Sequence, residues 1–205
     1  IIIYSKEQLL LKTNRVVWLQ EREDNGGTYG YNEAFKKSKG KYIFVLNDKW
    51  QINSKILKAI LLLESDHFKA RKFKVTTINV HHTFQYGITD MPILGGSAAL
   101  QSKLPLELSN PRFLQSYHRY PIFGFPILDR DTVKIHLSNH IFNPKFKNHY
   151  ADNWISFYIG EQGEFPIVCE DSYMTLFGGS GIDKDDTQDF NTFCSLACDL
   201  INKRC

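Results

Sequence analysis

Short apolar runs and amphipathic stretches alternate along the first third of the chain. Runs rich in β-branched and aromatic residues predict four strands, at residues 1–4, 15–20, 42–46 and 73–80. Apolar residues at helical spacing predict three helices between them, at residues 6–11, 31–38 and 53–64. Helices that alternate with strands act as crossovers between parallel strands. The pattern therefore predicts an α/β fold with an open, mostly parallel sheet flanked by helices.

The second half of the chain is less regular. Glycine and proline interrupt every candidate element between residues 88 and 121, which indicates a loop-rich segment or lid. Order returns with predicted strands at residues 125–128 and 165–168, and with predicted helices at residues 129–137, 150–159 and 190–202. A flexible, acidic connector is predicted at residues 178–186.

Composition narrows the class of protein. The chain has 205 residues, 42% of them hydrophobic and 23% charged, which predicts one folded domain and excludes a disordered chain. A net charge of +3 gives no support for nucleic acid as a partner. The longest apolar run is far shorter than a membrane span, and no signal peptide is evident, so we expect a cytoplasmic protein. The first residue is Ile, which suggests a domain of a longer, multidomain chain.

The cysteines favour neither zinc nor disulfides. All four lie in the last fifth of the chain, without the paired spacing of a zinc site: Cys169, Cys194, Cys198 and Cys205. Cys194 and Cys198 are one helical turn apart in the predicted final helix, and we expect them to be ordinary core or surface thiols.

The segment from residue 21 to residue 53 is the richest in candidate chemistry. A glycine turn with Gly26 and Gly27 precedes a helix, and the next strand ends in Asn47-Asp48-Lys49. A carboxylate at the carboxyl end of a parallel strand lies where open α/β sheets bind ligands, so Asp48 could hold a divalent cation against a diphosphate. Asn47 and Asp48 could equally well just turn the chain out of the strand.

A second candidate carboxylate lies in the segment from residue 142 to residue 160. Asp152 falls at the start of a predicted helix, with Trp154 two residues later. A charged carboxylate beside an aromatic ring suits a general base for a sugar hydroxyl, although Asp152 could be only a helix cap. His140 and His149 flank it and are expected to be surface residues. Gly124, between aromatic residues and prolines, predicts a rigid apolar wall.

Taken in order, these motifs resemble those of nucleotide-sugar glycosyltransferases of the GT-A fold, in the broad family 2 group. The matching segments are Asp24-Asn25-Gly26-Gly27, Asn32, the strand at residues 40–46, Asn47-Asp48-Lys49 and Asp152-Asn153-Trp154. The resemblance covers residues 20–64 well and residues 121–160 more loosely. Similar proteins also occur in large DNA viruses of algae.

The resemblance implies a single glycosyltransferase domain over residues 1–205. It would comprise a nucleotide-sugar-binding half at about 1–64, an acceptor-binding half at about 73–168, and a connector with a C-terminal helix at about 178–205. The implied activity is that of a hexosyltransferase, which moves a sugar from a nucleoside diphosphate sugar, with UDP favoured, to a hydroxyl of a glycan or glycoprotein. Such protein glycosylation would invert the anomeric centre and use Mn²⁺ or Mg²⁺.

Site roles follow from the same resemblance. Donor binding is implied for Tyr4, Gly26, Gly27, Asn32, Asn47, Asp48 and Lys49. Asp48 would be the metal ligand, Asp152 the catalytic base, and Gly124 and Trp154 acceptor-binding residues. The acidic motif departs from the family pattern because it keeps a single carboxylate, which weakens the expectation of a metal.

Two other functions fit parts of the sequence. A dinucleotide-binding oxidoreductase is suggested by Gly26, Gly27 and Gly30 before a helix, with Asp48 near the spacing of a ribose-binding carboxylate. Acidic residues near that helix would repel a pyrophosphate, namely Glu21, Glu23 and Asp24. A non-catalytic carbohydrate-binding domain is suggested by the incomplete acidic motif and the 14% aromatic content.

Overall fold

A computed structural model describes residues 1–5, 17–20, 25–46, 50–84, 87–91, 126–164, 167–176 and 187–203. Eight strands lie within these ranges: β1 (Ile2–Ser5), β2 (Val17–Gln20), β3 (Tyr42–Phe44), β4 (Trp50–Ile52), β5 (Val75–Phe84), β6 (Gly87–Met91), β7 (Ile127–Asp129) and β8 (Ile167–Leu176). The helices are α1 (Gly26–Lys37), α2 (Ile56–Leu62), α3 (Asp66–Lys69), α4 (Ala151–Glu161) and α5 (Thr187–Asn202), with a π-helical turn at Thr132–His136.

The described strands form two sheets. β1 pairs with β2 in parallel, and the other six strands form a sheet of order β3-β7-β5-β8-β4, with β6 paired to β5. The α/β class is confirmed, but the predominance of parallel strands is not. In the larger sheet only β5 and β8 are parallel, and the other described pairs are antiparallel. β5 and β6 are separated by two residues, too few for the crossover that parallel neighbours require.

Helices cover both faces of the larger sheet. Consecutive side chains of a strand point to opposite faces, and in β7 Ile127 and Leu128 are both fully buried. Ile127 belongs to a cluster with Ala59 and Leu63, at α2, and Phe68 of α3. Leu128 belongs to a larger cluster that includes side chains of α1, α4 and α5. The result is a three-layer arrangement in which α1, α4 and α5 share one core.

Several element boundaries differ from the sequence prediction. Helix α1 begins at Gly26 and not at residue 31, and the helix predicted at residues 53–64 is shortened to α2. Asn53 does not cap α2: its side-chain N–H donates to the carbonyl of Asp171, at 3.3 Å, and among the described residues its Oδ1 accepts no N–H of the helix. The predicted helix at residues 129–137 is largely the π-helical turn. β4 and β6 were not predicted, and the predicted helix at residues 6–11 lies outside the described residues.

The described cysteines are free thiols, as expected. Cys169 and Cys194 are buried and Cys198 is partly buried, whereas Cys205 lies outside the described residues. Burial raises the pKa of the Cys194 thiol to about 11, so this thiol is unreactive near neutral pH. No helix within the described residues is long and apolar enough to cross a membrane.

Candidate functional site

The amino terminus of α1 packs against the chain just before α4. Gly26 has a φ of +83°, and a Cβ atom there would lie 2.4 Å from the carbonyl oxygen of Lys147. The Gly27 N–H donates to Asn148 Oδ1 at 2.7 Å, and the Thr28 N–H donates to the Lys147 carbonyl at 3.1 Å. Helix N-terminal amides usually lack a partner within their own helix, and here the preceding loop of α4 supplies partners for two of them.

These contacts bear on the dinucleotide interpretation. A helix N-terminus holds a pyrophosphate through its free N–H groups. In this structure the N–H groups of Gly27 and Thr28 donate to Asn148 and Lys147. Lys147 also occupies the space beside Gly26 that a ligand would need for a close approach. The observed contacts of the glycine turn are structural, which disfavours a dinucleotide there, and the donor-binding role of Gly26 and Gly27 stays a prediction.

Asp189, near the start of α5, holds the same loop. Its carboxylate accepts the main-chain N–H groups of Lys147, Asn148 and His149, each at 2.7 Å. Asp189 is 5% exposed, so these three charge-assisted hydrogen bonds are shielded from water. We call residues 147–149 the anchor loop, because it connects the N-termini of α1, α4 and α5.

Asn32 makes a second connection between α1 and the segment that leads to α4. Its side-chain amide donates to the Phe142 carbonyl at 2.8 Å and accepts the Phe142 N–H at 3.2 Å. Asn32 is 4% exposed, and Phe142 is also buried. Both hydrogen-bonding functions of the amide are therefore used inside the protein, and a contact of Asn32 with a sugar donor stays a prediction.

Asp152 lies in the first turn of α4, as predicted, and its Oδ1 accepts the Asn153 N–H at 2.9 Å. The residue keeps some exposed surface, but its carboxyl group is desolvated. Burial raises the pKa of Asp152 above its usual 3.8. Hydrogen bonds from the main-chain N–H groups of Asn153 and Asp152, and a smaller attraction to His149, oppose this rise only in part. Desolvation therefore affects this carboxyl more strongly than the main-chain N–H groups at the start of α4 do. A raised pKa makes Asp152 a better proton acceptor near neutral pH.

His149 is the nearest titratable group to Asp152 along the anchor loop. Its Nε2 atom is buried and has no hydrogen-bond partner within the part of the chain that the structure describes. The expectation that His149 is an ordinary surface residue was wrong, because the residue is only partly exposed and its ring nitrogen is buried. A buried polar atom without a partner is uncommon and calls for an explanation.

Trp154 is part of an aromatic group on α4. Its ring lies 6.2 Å from that of Phe157 and 6.0 Å from that of Tyr158, measured between centroids. The side chain is partly buried and packs against the larger core. This packing accounts for an aromatic residue at position 154, and its role in acceptor binding stays a prediction.

The remaining predicted site residues are Tyr4, Gly124 and the acidic motif at residues 47–49. Tyr4 lies in β1, paired with Leu19 of β2. The acidic motif Asn47-Asp48-Lys49 and the predicted acceptor residue Gly124 lie outside the described residues. Among the residues that are described, no three His, Cys, Asp or Glu side chains cluster closely enough to hold a metal ion. The structure therefore brings Gly26, Gly27 and Asn32 to the segment before Asp152, and leaves Asp48 to the sequence prediction.

The sequence prediction missed two residues that organise the site. Asn148 and Asp189 carry no recognisable local pattern, because their partners are distant in sequence. Asn148 contacts Gly27 across 121 residues, and Asp189 contacts Lys147 across 42. An acidic residue at the start of α5 was the one available signal, and it is equally typical of an ordinary helix terminus.

Comparison with solved structures places the fold. The chain is similar to S. aureus TarS, residues 1–349, in complex with UDP-GlcNAc, with a TM-score of 0.56 and 18% identity over 91% of this chain and 50% of that one. TarS in complex with UDP aligns at a TM-score of 0.49 and 15% identity, over 89% of this chain and 47% of that one. No protein-family model matches the chain, and no curated protein is significantly similar to it. The chain thus spans about half the length of these TarS structures, and it has a GT-A-like α/β fold.

Proposed function

We propose that the chain is a glycosyltransferase that moves a sugar from a nucleoside diphosphate sugar, with UDP-sugars favoured, to a hydroxyl group of an acceptor. The observation that carries the proposal is the desolvated carboxyl of Asp152 in a GT-A-like fold, in the first turn of α4 and three residues after the loop that contacts the N-terminus of α1. The UDP-GlcNAc complex of TarS, whose fold is similar, supports a UDP-sugar as donor.

In the proposed reaction Asp152 acts as the general base. It takes the proton of the acceptor hydroxyl while that oxygen forms a bond to the anomeric carbon of the donor. The bond from that carbon to the diphosphate breaks at the same time, and the diphosphate leaves with the electron pair. Attack from the face opposite the leaving group inverts the anomeric centre. Burial supports this role, since a raised pKa brings Asp152 closer to the pH at which it must accept a proton.

A divalent cation remains part of the proposal through the predicted ligand Asp48. Mn²⁺ or Mg²⁺ held there would offset the charge that develops on the leaving diphosphate. Asp48 is flanked by Asn47 and Lys49 in the sequence, so one carboxylate is the full anionic contribution of this motif. The Lys49 ammonium could neutralise part of the phosphate charge. Tyr4, Gly26, Gly27 and Asn32 are the other proposed donor-side residues.

The donor side is tested by thermal denaturation with UDP or UDP-GlcNAc, each with and without Mn²⁺, and with NAD as the control. We expect the melting temperature to rise with the uridine nucleotides and to stay unchanged with NAD. A rise with NAD alone would contradict the proposal. The variant Asp48→Ala should lose the Mn²⁺-dependent part of the rise, and an unchanged Mn²⁺ response would remove Asp48 as the metal ligand.

The base is tested with Asp152→Asn, and Asp131→Asn serves as a matched control at an exposed position. We expect Asp152→Asn to keep nucleotide binding and to lose sugar transfer, whereas Asp131→Asn should keep both. Transfer retained in Asp152→Asn would rule out Asp152 as the base. If the wild type binds nucleotide and sugar but transfers nothing, the chain is a carbohydrate-binding domain.

Finer points stay predictions. These are the hexosyl identity of the donor, a glycan or glycoprotein as acceptor, a cytoplasmic location and a place within a longer chain.

A further inference from the structure

His149 combines a fixed main chain with a buried ring nitrogen that has no hydrogen-bond partner among the described residues. The His149 N–H donates to Asp189 Oδ2 at 2.7 Å, so the main chain cannot shift freely to bring the ring to another partner. Nε2 is buried and lacks a hydrogen bond among the described residues. Burial without a partner is unfavourable. A ligand that supplies a hydrogen bond to Nε2 would remove this cost.

His149 also lies next to the proposed base. Asp152 follows it by three residues, and Tyr150 between them has a left-handed backbone with a φ of 58°. A non-glycine residue adopts this conformation only where its surroundings impose it. His149 also exerts a small electrostatic attraction on the Asp152 carboxylate, so the two side chains lie in the same part of the candidate site.

We propose that His149 is an acceptor-binding residue, whose Nε2 forms a hydrogen bond with the hydroxyl group next to the one that Asp152 deprotonates. This inference rests on the proposed function and deepens it by naming the acceptor class, a sugar or polyol with two adjacent hydroxyl groups. A hydroxyl group both donates and accepts hydrogen bonds, so it satisfies Nε2 in either tautomer of the ring. Holding one hydroxyl at His149 orients its neighbour toward Asp152, which is the kind of positioning that accelerates a bimolecular step.

The test compares two small acceptors that differ by one hydroxyl group. The full chain is given UDP-GlcNAc and Mn²⁺ with either propane-1,2-diol or propan-1-ol, and transfer to each alcohol and to water is measured. We expect the wild type to favour the diol, and the diol-to-alcohol ratio to fall about tenfold in His149→Ala, the value of one hydrogen bond of ordinary strength. His140→Ala is the matched control, since His140 contacts the carbonyl of Ser138 away from Asp152, and it should keep the wild-type ratio.

A second pair of variants keeps the inference falsifiable if His149→Ala does not fold. Glutamine can place an amide group near the position of Nε2, whereas asparagine is too short to reach it. We therefore expect His149→Gln to keep most of the diol preference and His149→Asn to lose it. Equal ratios in these variants, or a wild-type ratio in His149→Ala, would overturn the inference while leaving the proposed function intact. If the wild type transfers sugar to neither alcohol nor water, the proposed function fails, and this inference fails with it.

Discussion

The side-chain amide of Asn32 pairs with both main-chain groups of Phe142, at 2.8 Å to the carbonyl and 3.2 Å from the N–H. The pairing connects α1 to the segment before α4 across 110 residues. An amide that both donates and accepts matches the peptide group, whereas no apolar side chain of similar size does so. Asn32 therefore helps to determine where the segment that carries Asp152 lies relative to α1.

Replacement of Asn32 by alanine should destabilise the protein. The variant leaves the buried N–H and carbonyl of Phe142 without partners, and we expect the free energy of unfolding to fall by about 2–4 kcal/mol. Urea denaturation measures the change. Asn191→Ala, at an exposed position of α5, is the control and should change the free energy by less than about 0.5 kcal/mol. Equal effects of the two substitutions would show that the pairing contributes nothing.

Substitution of Gly26 separates backbone strain from steric overlap. Gly26 and Gly163 both have a positive φ, at +83° and +80°, but a Cβ atom at Gly163 would meet nothing within 4 Å. We expect Gly163→Ala to cost about 1–2 kcal/mol of unfolding free energy, from the left-handed backbone alone. Gly26→Ala should cost about 1–3 kcal/mol more, because its Cβ would displace Lys147. Thermal or urea denaturation of the two variants side by side gives the difference, and a difference of zero would mean that the anchor loop yields without cost.

Removal of the Asp189 charge should loosen the anchor loop. Asp189→Asn replaces one acceptor oxygen by an NH₂ group that faces main-chain donors, and we expect a loss of about 2–4 kcal/mol of unfolding free energy. Hydrogen exchange of the amides at positions 147, 148 and 149 should also become faster. Asp199→Asn, at an exposed position of the same helix, should change neither quantity. Unchanged exchange at these amides in Asp189→Asn would contradict the assignment.

The stability of the protein should depend on the ionisation of Asp152. Burial raises the pKa of Asp152 in the folded state, so the folded protein binds this proton more tightly than the unfolded chain does. The stabilising contribution is complete below the usual pKa of 3.8 and is lost as the pH rises through the raised pKa. Asp152→Asn carries no such charge, so its stability relative to the wild type should increase over that range. Urea denaturation between about pH 3 and pH 8 tests the sign, and a difference that stays constant or decreases with pH would contradict the raised pKa.

Local patterns predicted much of the fold because they record which side chains face a core. The helical spacing around Trp154 and around Phe193 predicted most of α4 and α5, and the α/β class followed from the order of elements. The start of α1 could not be predicted in this way. Glycine is a poor helix former, yet α1 begins at Gly26, where Asn148 and Lys147 accept the N–H groups of Gly27 and Thr28.

In the candidate site, too, local sequence predicted some features, and contacts between distant segments determine the others. Asp152 could be predicted because it begins a recognisable helix, whereas the desolvation that changes its pKa depends on how distant segments pack around it. Asp189 looked like an ordinary residue of a helix terminus, since nothing in its own neighbourhood shows that three amides 40 to 42 residues earlier would meet its carboxylate. The direction of the strands also depends on pairing between distant segments, because β7 pairs with both β3 and β5, which lie more than 40 residues away in the sequence.

The Asp189 contacts have a consequence for the order of folding. The amides of residues 147–149 cannot find their acceptor until the chain has been synthesised past residue 189 and α5 has docked. Closing a loop of this length carries an entropic cost that only the packed core of α4 and α5 repays. A nascent chain that ends before α5 would therefore lack the carboxylate that fixes the loop before Asp152. The proposed base Asp152 would therefore reach its final setting only once α5 has docked.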